Sequence, residues 1–231
     1  MKSYILLLLF AVSCATVQVK QPVVGPEIHE IKTISEVKDW IVPDTLVIFD
    51  LDNTVFEAED IVAHANFYHD MMKKYPEHGQ KTLKKIWDAI KKSNFKLVEP
   101  ITVEIIKDLQ DQGVVVMALT SRDLELKEAT LRQVKSAGID FSKTSPKRES
   151  RYCHNGILFA DDNFPKGPAL LAYLAGTGFK PKRIILVDDL ETNLISVGNT
   201  TGAIGLHYPL VDKKRHLEWD EKEAERRWLL E

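Results

Sequence analysis

Four continuous apolar runs constrain this chain more than any other feature. Leu46-Val47-Ile48-Phe49, Val114 to Leu119, Ile184 to Val187 and Ala203 to His207 read as strands buried on both faces of a parallel sheet. Helical segments precede three of them: Ile101 to Gln112 closed by Gly113, Gly167 to Ala175 closed by Gly176, and Glu191 to Gly198. Strand, helix, strand at this spacing demands right-handed crossovers. The expected class is therefore α/β, a doubly wound, Rossmann-like parallel sheet in three layers. With 231 residues, 44% hydrophobic and 28% charged, the chain has enough apolar material for one domain with a substantial core and a small insertion. Disorder, collagen and coiled coil are excluded as the main state.

The insertion falls between the first two strands, at about residues 57–100, within a core spanning 45–211. There Leu83, Ile86, Trp87 and Ile90 sit at i, i+3, i+4 and i+7, the pattern of an amphipathic helix in a small helical cap. The same stretch carries Lys73, Lys74, Lys81, Lys84, Lys85, Lys91, Lys92 and Lys96 beside Phe67, Tyr68 and Tyr75. Two readings stay open: a solvated helical face over core aromatics, or a basic lid over an anionic substrate. Residues 212–231 read as a mixed-charge helix docked on the domain through Leu217, Ala224 and Trp228.

The first fifteen residues stand apart from the fold. Lys2 precedes an apolar run, Tyr4 to Val12, too short to span a bilayer and suited to a secretory signal. Ser13-Cys14-Ala15 fits a peptidase site, and Ala11-Val12-Ser13-Cys14 fits a lipoprotein box with the lipid on Cys14; a disordered apolar N-terminus of a cytosolic protein is the alternative. Residues 16–44, with Pro22, Pro26 and Pro43, read as a tether and a short lead-in helix around Ser35 to Trp40. Export is expected, either free in the periplasm or tethered to a membrane through Cys14 alone. Besides Cys14 only Cys153 is present, so the mature chain holds no internal disulfide. A formal charge of −3 without a basic stripe gives nucleic-acid binding little electrostatic support and favours a small ligand. Oligomeric state is not encoded legibly.

Polar residues gather at the carboxyl ends of the strands, where open α/β sheets bind ligands: Asp50 and Asp52, then Thr120, then Asp188 and Asp189. If the extended backbone continues past Phe49, its period of two sends Asp50 and Asp52 to one side. Two like charges so close need a cation. With the oxygens of Asp188 and Asp189 they form a hard-oxygen site suited to Mg²⁺. An isolated Asp-x-Asp reads as a strand-ending turn with Asn53 or Thr54 capping the next helix. Here the turn alone must also account for Thr120 and for Lys166, which opens the helix before the Asp188-Asp189 strand. Asp161-Asp162, followed by Asn163 and Pro165, reads as a turn away from the metal.

Asp50-Leu-Asp-Asn-Thr54, Ala118-Leu-Thr-Ser121, Lys166 and Val187-Asp-Asp-Leu-Glu-Thr-Asn193 resemble the four ordered motifs of the haloacid dehalogenase superfamily, over about residues 45–208. Lys166-Gly-Pro-Ala-Leu170 and the Asp-Asp-x-x-x-Asn end further resemble uncharacterised exported bacterial members. The resemblance implies an Mg²⁺-dependent phosphomonoester hydrolase acting on a small phosphorylated substrate. Asp50 would be the nucleophile that forms an aspartyl phosphate, and Asp52 the general acid and then base, with its main-chain carbonyl on the metal. Asp52 is what tilts the resemblance toward phosphoryl transfer. Thr120 would donate to a phosphoryl oxygen, Lys166 would balance charge, and Asp189, helped by Asp188, would carry the metal. Thr54, Ser121 and Arg122 fall at substrate positions, although Ser121 also suits a helix cap and Arg122 a surface ion pair. Asn193 stands where some members have a second Asp. A catalytically idle fold serving as a binding scaffold, or a phosphotransferase, is the alternative.

Overall fold

The structure, a computed structural model, describes residues 25–76, 79–148, 150–161, 164–214 and 220–230. The signal segment with Cys14, the pair Asp162 and Asn163, and Leu217 lie outside the described residues. In chain order the strands are β1 (Ile28–Glu30), β2 (Thr45–Phe49), β3 (Phe56–Ala58), β4 (Phe95–Leu97), β5 (Val115–Thr120), β6 (Cys153–His154), β7 (Ile157–Phe159), β8 (Arg183–Asp188) and β9 (Ile204–His207). The helices are α1 (Ala65–Lys74), α2 (Gly79–Lys92), α3 (Thr102–Asp111), α4 (Lys127–Ser136), α5 (Lys166–Thr177), α6 (Glu191–Thr201), α7 (Leu210–Lys214) and α8 (Glu221–Leu230).

One seven-stranded sheet runs in the order β1-β9-β8-β2-β5-β7-β6, parallel except for the β6–β7 edge. The central strands β2, β5 and β8 are largely apolar because both faces are covered. Val47 and Phe49 of β2, Val116 and Ala118 of β5 and Val187 of β8 pack with Ile105, Ile106 and Leu109 of α3 and Val134 of α4. Their alternates Leu46, Ile48, Met117, Leu119 and Leu186 pack with Leu170 and Tyr173 of α5 and Leu194 and Val197 of α6. This is the doubly wound, three-layer arrangement that the apolar runs dictate; each such buried side chain contributes roughly 1.5–3 kcal/mol.

Several boundaries differ from the sequence reading. The sheet begins before Thr45, because Ile28–Glu30 pairs with β9 and the lead-in segment folds as a 3-10 helix, Ile34–Trp40. Glu99 anchors that segment, accepting from Thr33 Oγ1 and from the Ile34 N–H at 2.7 Å each. Helix α5 continues past Gly176 to a left-handed cap at Gly178, and α6 continues past Gly198 to one at Gly202. Gly176 and Gly198 serve close approach rather than termination: a Cβ there would meet the Arg148 guanidinium at 1.8 Å and Pro26 Cβ at 2.5 Å.

The cap is carried on a two-stranded antiparallel ribbon, β3 with β4, and holds α1 and α2 between them. Ile86 and Ile90 of α2 are buried and Trp87 is half-buried, as the helical spacing requires. The C-terminal segment forms two helices instead of one. Ala224 and Trp228 of α8 pack on Val62, Phe67 and Met71, so this helix braces the cap. No helix among the described residues is long and apolar enough to cross a membrane.

Candidate active site

The strand order places the site. From β2 the sheet grows through β5 and β7 on one side and through β8 and β9 on the other, so the carboxyl ends of β2, β5 and β8 open into one crevice. A cavity of about 240 Å³ lies there, floored by Asp50, Asp52, Ser121, Arg122, Lys166, Asp189, Leu190 and Asn193.

Lys166, 2% exposed at the first turn of α5, donates to Asp50 Oδ1 at 2.6 Å and to Asp188 Oδ2 at 2.7 Å. Asp188 Oδ1 accepts from the Leu190 N–H at 3.0 Å and from Asn193 Nδ2 at 2.9 Å, and Asp189 Oδ2 accepts from Asn53 Nδ2 at 3.3 Å. Asn53 reaches it from a left-handed turn (φ 59°) whose N–H bonds the Phe56 carbonyl. Oxygens of Asp50, Asp188 and Asp189 lie within 4.8 Å of one another.

Burial pushes Asp50 from 3.8 up to about 7; Lys166 opposes the shift, and Asp188 and Asp52 add to it. Burial, reinforced by Asp50 and Asp188, holds Asp189 well above its ordinary value. Lys166 is raised despite its burial, because it faces two carboxylates. Three buried carboxylates thus share one lysine, and the excess negative charge in a hard-oxygen donor set fits a divalent cation.

Asp52 borders the cavity, yet its carboxylate stands outside this cluster. Arg122 grips it as a fork, Nε to Oδ2 and Nη2 to Oδ1 at 2.7 Å each. The same guanidinium donates to Thr130 Oγ1 (3.0 Å) and Gln133 Oε1 (2.6 Å) on α4, and its carbon lies 5.1 Å from the Phe56 ring centre and 4.9 Å from that of Phe95. Two expectations are corrected. The Asp52 side chain does not join the metal group, because the repulsion it shares with Asp50 is relieved by Arg122. Arg122, 6% exposed, is not a surface pair, and it still borders the cavity.

Thr120 is fully buried at the end of β5 and does not itself line the cavity; its Oγ1 accepts from the Arg122 N–H at 3.1 Å. Ser121 borders the cavity; the cap of the following turn is Asp123, whose Oδ1 accepts from the Glu125 N–H at 2.6 Å. Thr54 is buried with its hydroxyl unpartnered and does not line the cavity, which corrects its substrate assignment. Asp161 sits in a left-handed turn (φ 68°) apart from the carboxylate group, as its sequence context indicates.

Ala63, Ala65, Tyr68, His69, Ile86, Trp87 and Ile90 form the cap wall. No cap lysine lines the cavity among the described residues, which favours the solvated-face reading of the cap. Lys74 pairs with Glu225, Lys85 with the Trp228 carbonyl, Lys91 with Glu125 and Lys96 with Glu57. Sequence reasoning missed Thr130 and Gln133, which anchor Arg122. Their signal is a polar pair, three residues apart, interrupting the buried face of α4.

Fold and site together define a doubly wound α/β protein with a lysine-bridged carboxylate centre at its strand ends. A family profile described as "Protein of unknown function (DUF2608)" matches residues 28–228, and the chain belongs to that family. A Chlamydia pneumoniae protein named "Putative outer membrane protein" is 25% identical over 195 residues, covering 78% of this chain and 74% of its own length. A Chlamydia trachomatis protein of the same name is 24% identical over 183 residues, 73% and 69% of the two chains. Among solved structures, a haloacid dehalogenase-like hydrolase from Streptococcus pneumoniae overlaps 71% of this chain and 83% of its own, at 13% identity and a TM-score of 0.49.

Proposed function

We propose that this chain is an Mg²⁺-dependent phosphomonoester hydrolase working through an aspartyl phosphate on Asp50, outside the cytoplasm. The observation that carries the reading is Lys166 holding Asp50 at 2.6 Å within a three-carboxylate group on the floor of a cavity. By engaging Oδ1, Lys166 orients the other Asp50 oxygen toward an incoming phosphorus. Attack forms the Asp50 oxygen–phosphorus bond and breaks the bond to the leaving alcohol, which takes its proton from Asp52. For that transfer one oxygen of Asp52 first leaves the Arg122 fork and takes up a proton from solvent, which it then delivers to the leaving oxygen. Water then attacks the aspartyl phosphate, gives its proton to Asp52, and returns Asp50 and free phosphate. Asp50, Asp188 and Asp189 would hold Mg²⁺, which when bound neutralises phosphoryl oxygens and lets an anionic nucleophile approach an anionic ester. Thr120 and Lys166 supply the remaining hydrogen-bond and charge balance.

An envelope location is supported by the Lys2 and Tyr4 to Val12 pattern and by the outer-membrane names of the Chlamydia relatives. A lipid on Cys14 would tether the chain; unchanged membrane recovery and fatty-acid labelling of Cys14→Ser would exclude the tether. The activity test is phosphate release from a panel of phosphomonoesters, with Mg²⁺ and with EDTA, by wild type and Asp50→Asn. Metal-dependent release lost in Asp50→Asn is the expected result. Release that survives either EDTA or Asp50→Asn overturns the mechanism, and phosphate recovered on an added alcohol identifies a phosphotransferase.

A further inference from the structure

We infer that the substrate is a phosphomonoester whose alcohol carries a flat, uncharged, apolar ring. This rests on the phosphatase reading and adds the class of leaving group. The argument starts from the asymmetry of the cavity. Its floor is charged, whereas the wall opposite carries Tyr68, His69, Trp87, Ile86, Ile90, Ala63 and Ala65, joined from the core side by Leu126, so that rings and aliphatic carbon dominate it. No carboxylate, lysine or arginine of the cap lines it among the described residues.

The lining lysine and arginine both belong to the core and are already engaged, Lys166 by Asp50 and Asp188, Arg122 by Asp52, Thr130 and Gln133. A phosphoamino acid would bring an ammonium to a wall with no carboxylate, and a carboxylate to one with no lysine or arginine. A sugar phosphate would lay hydroxyls on apolar carbon, where each hydroxyl left unpaired opposes binding. A nucleoside polyphosphate would add anionic charge where no lysine or arginine is spare. A ring fits instead. Trp87 and Tyr68 offer aromatic surfaces for stacking or edge contact, and Ile86, Ile90 and Leu126 complete an apolar slot. Size agrees as well: a cavity of about 150 Å³ accepts benzene, and the one here, at about 240 Å³, has room for a phosphoryl group beside such a ring.

The test compares two unhydrolysable probes with the same head group, phenylphosphonate and methylphosphonate, titrated calorimetrically into the full mature protein with Mg²⁺. The phenyl probe should bind about 10- to 100-fold tighter, the range that ring burial and aromatic contact supply. In Trp87→Ala and in Tyr68→Ala the ratio should fall severalfold, and Trp87→Phe should restore most of it; near-ultraviolet circular dichroism checks that each variant is folded. Equal binding of the two probes, or a ratio untouched by both alanine variants, overturns the inference. Turnover of phenyl phosphate against glycerol 2-phosphate separates the two readings. Hydrolysis of both at equal kcat/KM leaves the phosphatase standing and removes the ring preference. Tight ring-dependent binding without any turnover keeps the slot and removes the phosphatase. Failure to bind either phosphonate removes both.

Discussion

The two walls of the cavity obey opposite rules. On the floor every charged side chain has a counter-group within hydrogen-bond distance, Lys166 with Asp50 and Asp188, Arg122 with Asp52, Asn53 with Asp189. On the cap wall the lining is apolar and aromatic, and the lysines with defined partners reach outward to Glu57, Glu125 and Glu225. The floor is held by the register of a parallel sheet: Phe49 pairs with Ala118 and with Val187, so Asp50, Thr120 and Asp188 arrive together. A one-residue slip would turn all of them away. The cap stands on one short ribbon and a bracing helix, so its lining can change without moving the floor. Under the proposed function, chemistry would belong to the wall fixed by the sheet and selection to the wall carried by the cap.

The comparison breaks most severely at Asp50. Asp50→Asn should lower turnover by on the order of 10⁴-fold or more, the scale of losing a covalent nucleophile, while leaving the apolar wall intact. Phosphate release in single-turnover mode measures it, and a loss under tenfold would mean that Asp50 is not the attacking group. Next comes Arg122, whose guanidinium also lies against the cap ribbon at Phe56 and Phe95. Arg122→Ala strands the partly exposed Asp52 and the Thr130 and Gln133 acceptors, at a cost of about 3 kcal/mol, the low end for one partner removed from a buried pair. Urea unfolding should show it, and Arg122→Lys, which cannot form the fork, should recover less than half. Pairing Arg122→Ala with Asp52→Asn in a double-mutant cycle should show that the losses are not additive.

A cation should sharpen the floor's character by a slightly smaller amount. Asp50 is held at about 7 in the fold against an ordinary 3.8, and Asp189 shifts in the same direction. Between about pH 4 and 7 the folded, metal-free chain therefore binds more protons than the unfolded chain, and its stability falls as pH rises through that window. Lys166, raised from 10.5, acts only above it. Metal-free Tm should thus be higher at pH 5 than at pH 7.5. Mg²⁺ at a hundredfold excess over its Kd adds about 2.7 kcal/mol, or about 5–10 °C for a domain of this size, and the gain should be larger at pH 7.5. Asp189→Asn should raise the metal-free Tm at pH 7.5 and abolish the Mg²⁺ response. A Tm that rises with pH in EDTA, or an Mg²⁺ shift retained in Asp189→Asn, would contradict the charge account.

The carboxylates of the floor were legible in the sequence because they follow uninterrupted apolar runs, and a buried strand leaves little choice about where the next polar side chain emerges. Asp50, Asp188 and Asp189 fall together on that logic, whereas Lys166 was read from its place at the start of the helix before β8. Asp52 did not follow it, since the chain turns left-handed at Asn53 and the partner that draws its carboxylate aside is 70 residues away. The edge strand β1 was illegible for a related reason. Three half-exposed residues, Ile28–Glu30, carry no periodicity, and only their pairing with β9 reveals them. The helical spacing of the cap was legible, whereas its charge left a solvated face and a basic lid equally open. Charge content along a helix says how many lysines it has, whereas the direction each one faces depends on neighbours such as Glu125 and α8.

That last distinction yields the smallest expected effect and the cleanest check on the division of labour. Lys91→Gln and Lys96→Gln remove two outward lysines whose partners, Glu125 and Glu57, lie off the cavity. If the cap selects by its apolar wall, kcat/KM for phenyl phosphate should stay within about twofold and keep the same dependence on ionic strength, because these charges meet no substrate. A lid that gathered anions electrostatically would behave otherwise: a positively lined cleft raises encounter rates by about 10–10³-fold and loses that advantage in salt. The double variant should then fall at least severalfold at low ionic strength and converge with wild type as salt is added. Stopped-flow turnover at two ionic strengths separates these outcomes. Convergence with salt would return the lysines to the working face of the cap, and with them the anionic leaving groups that the apolar wall excludes.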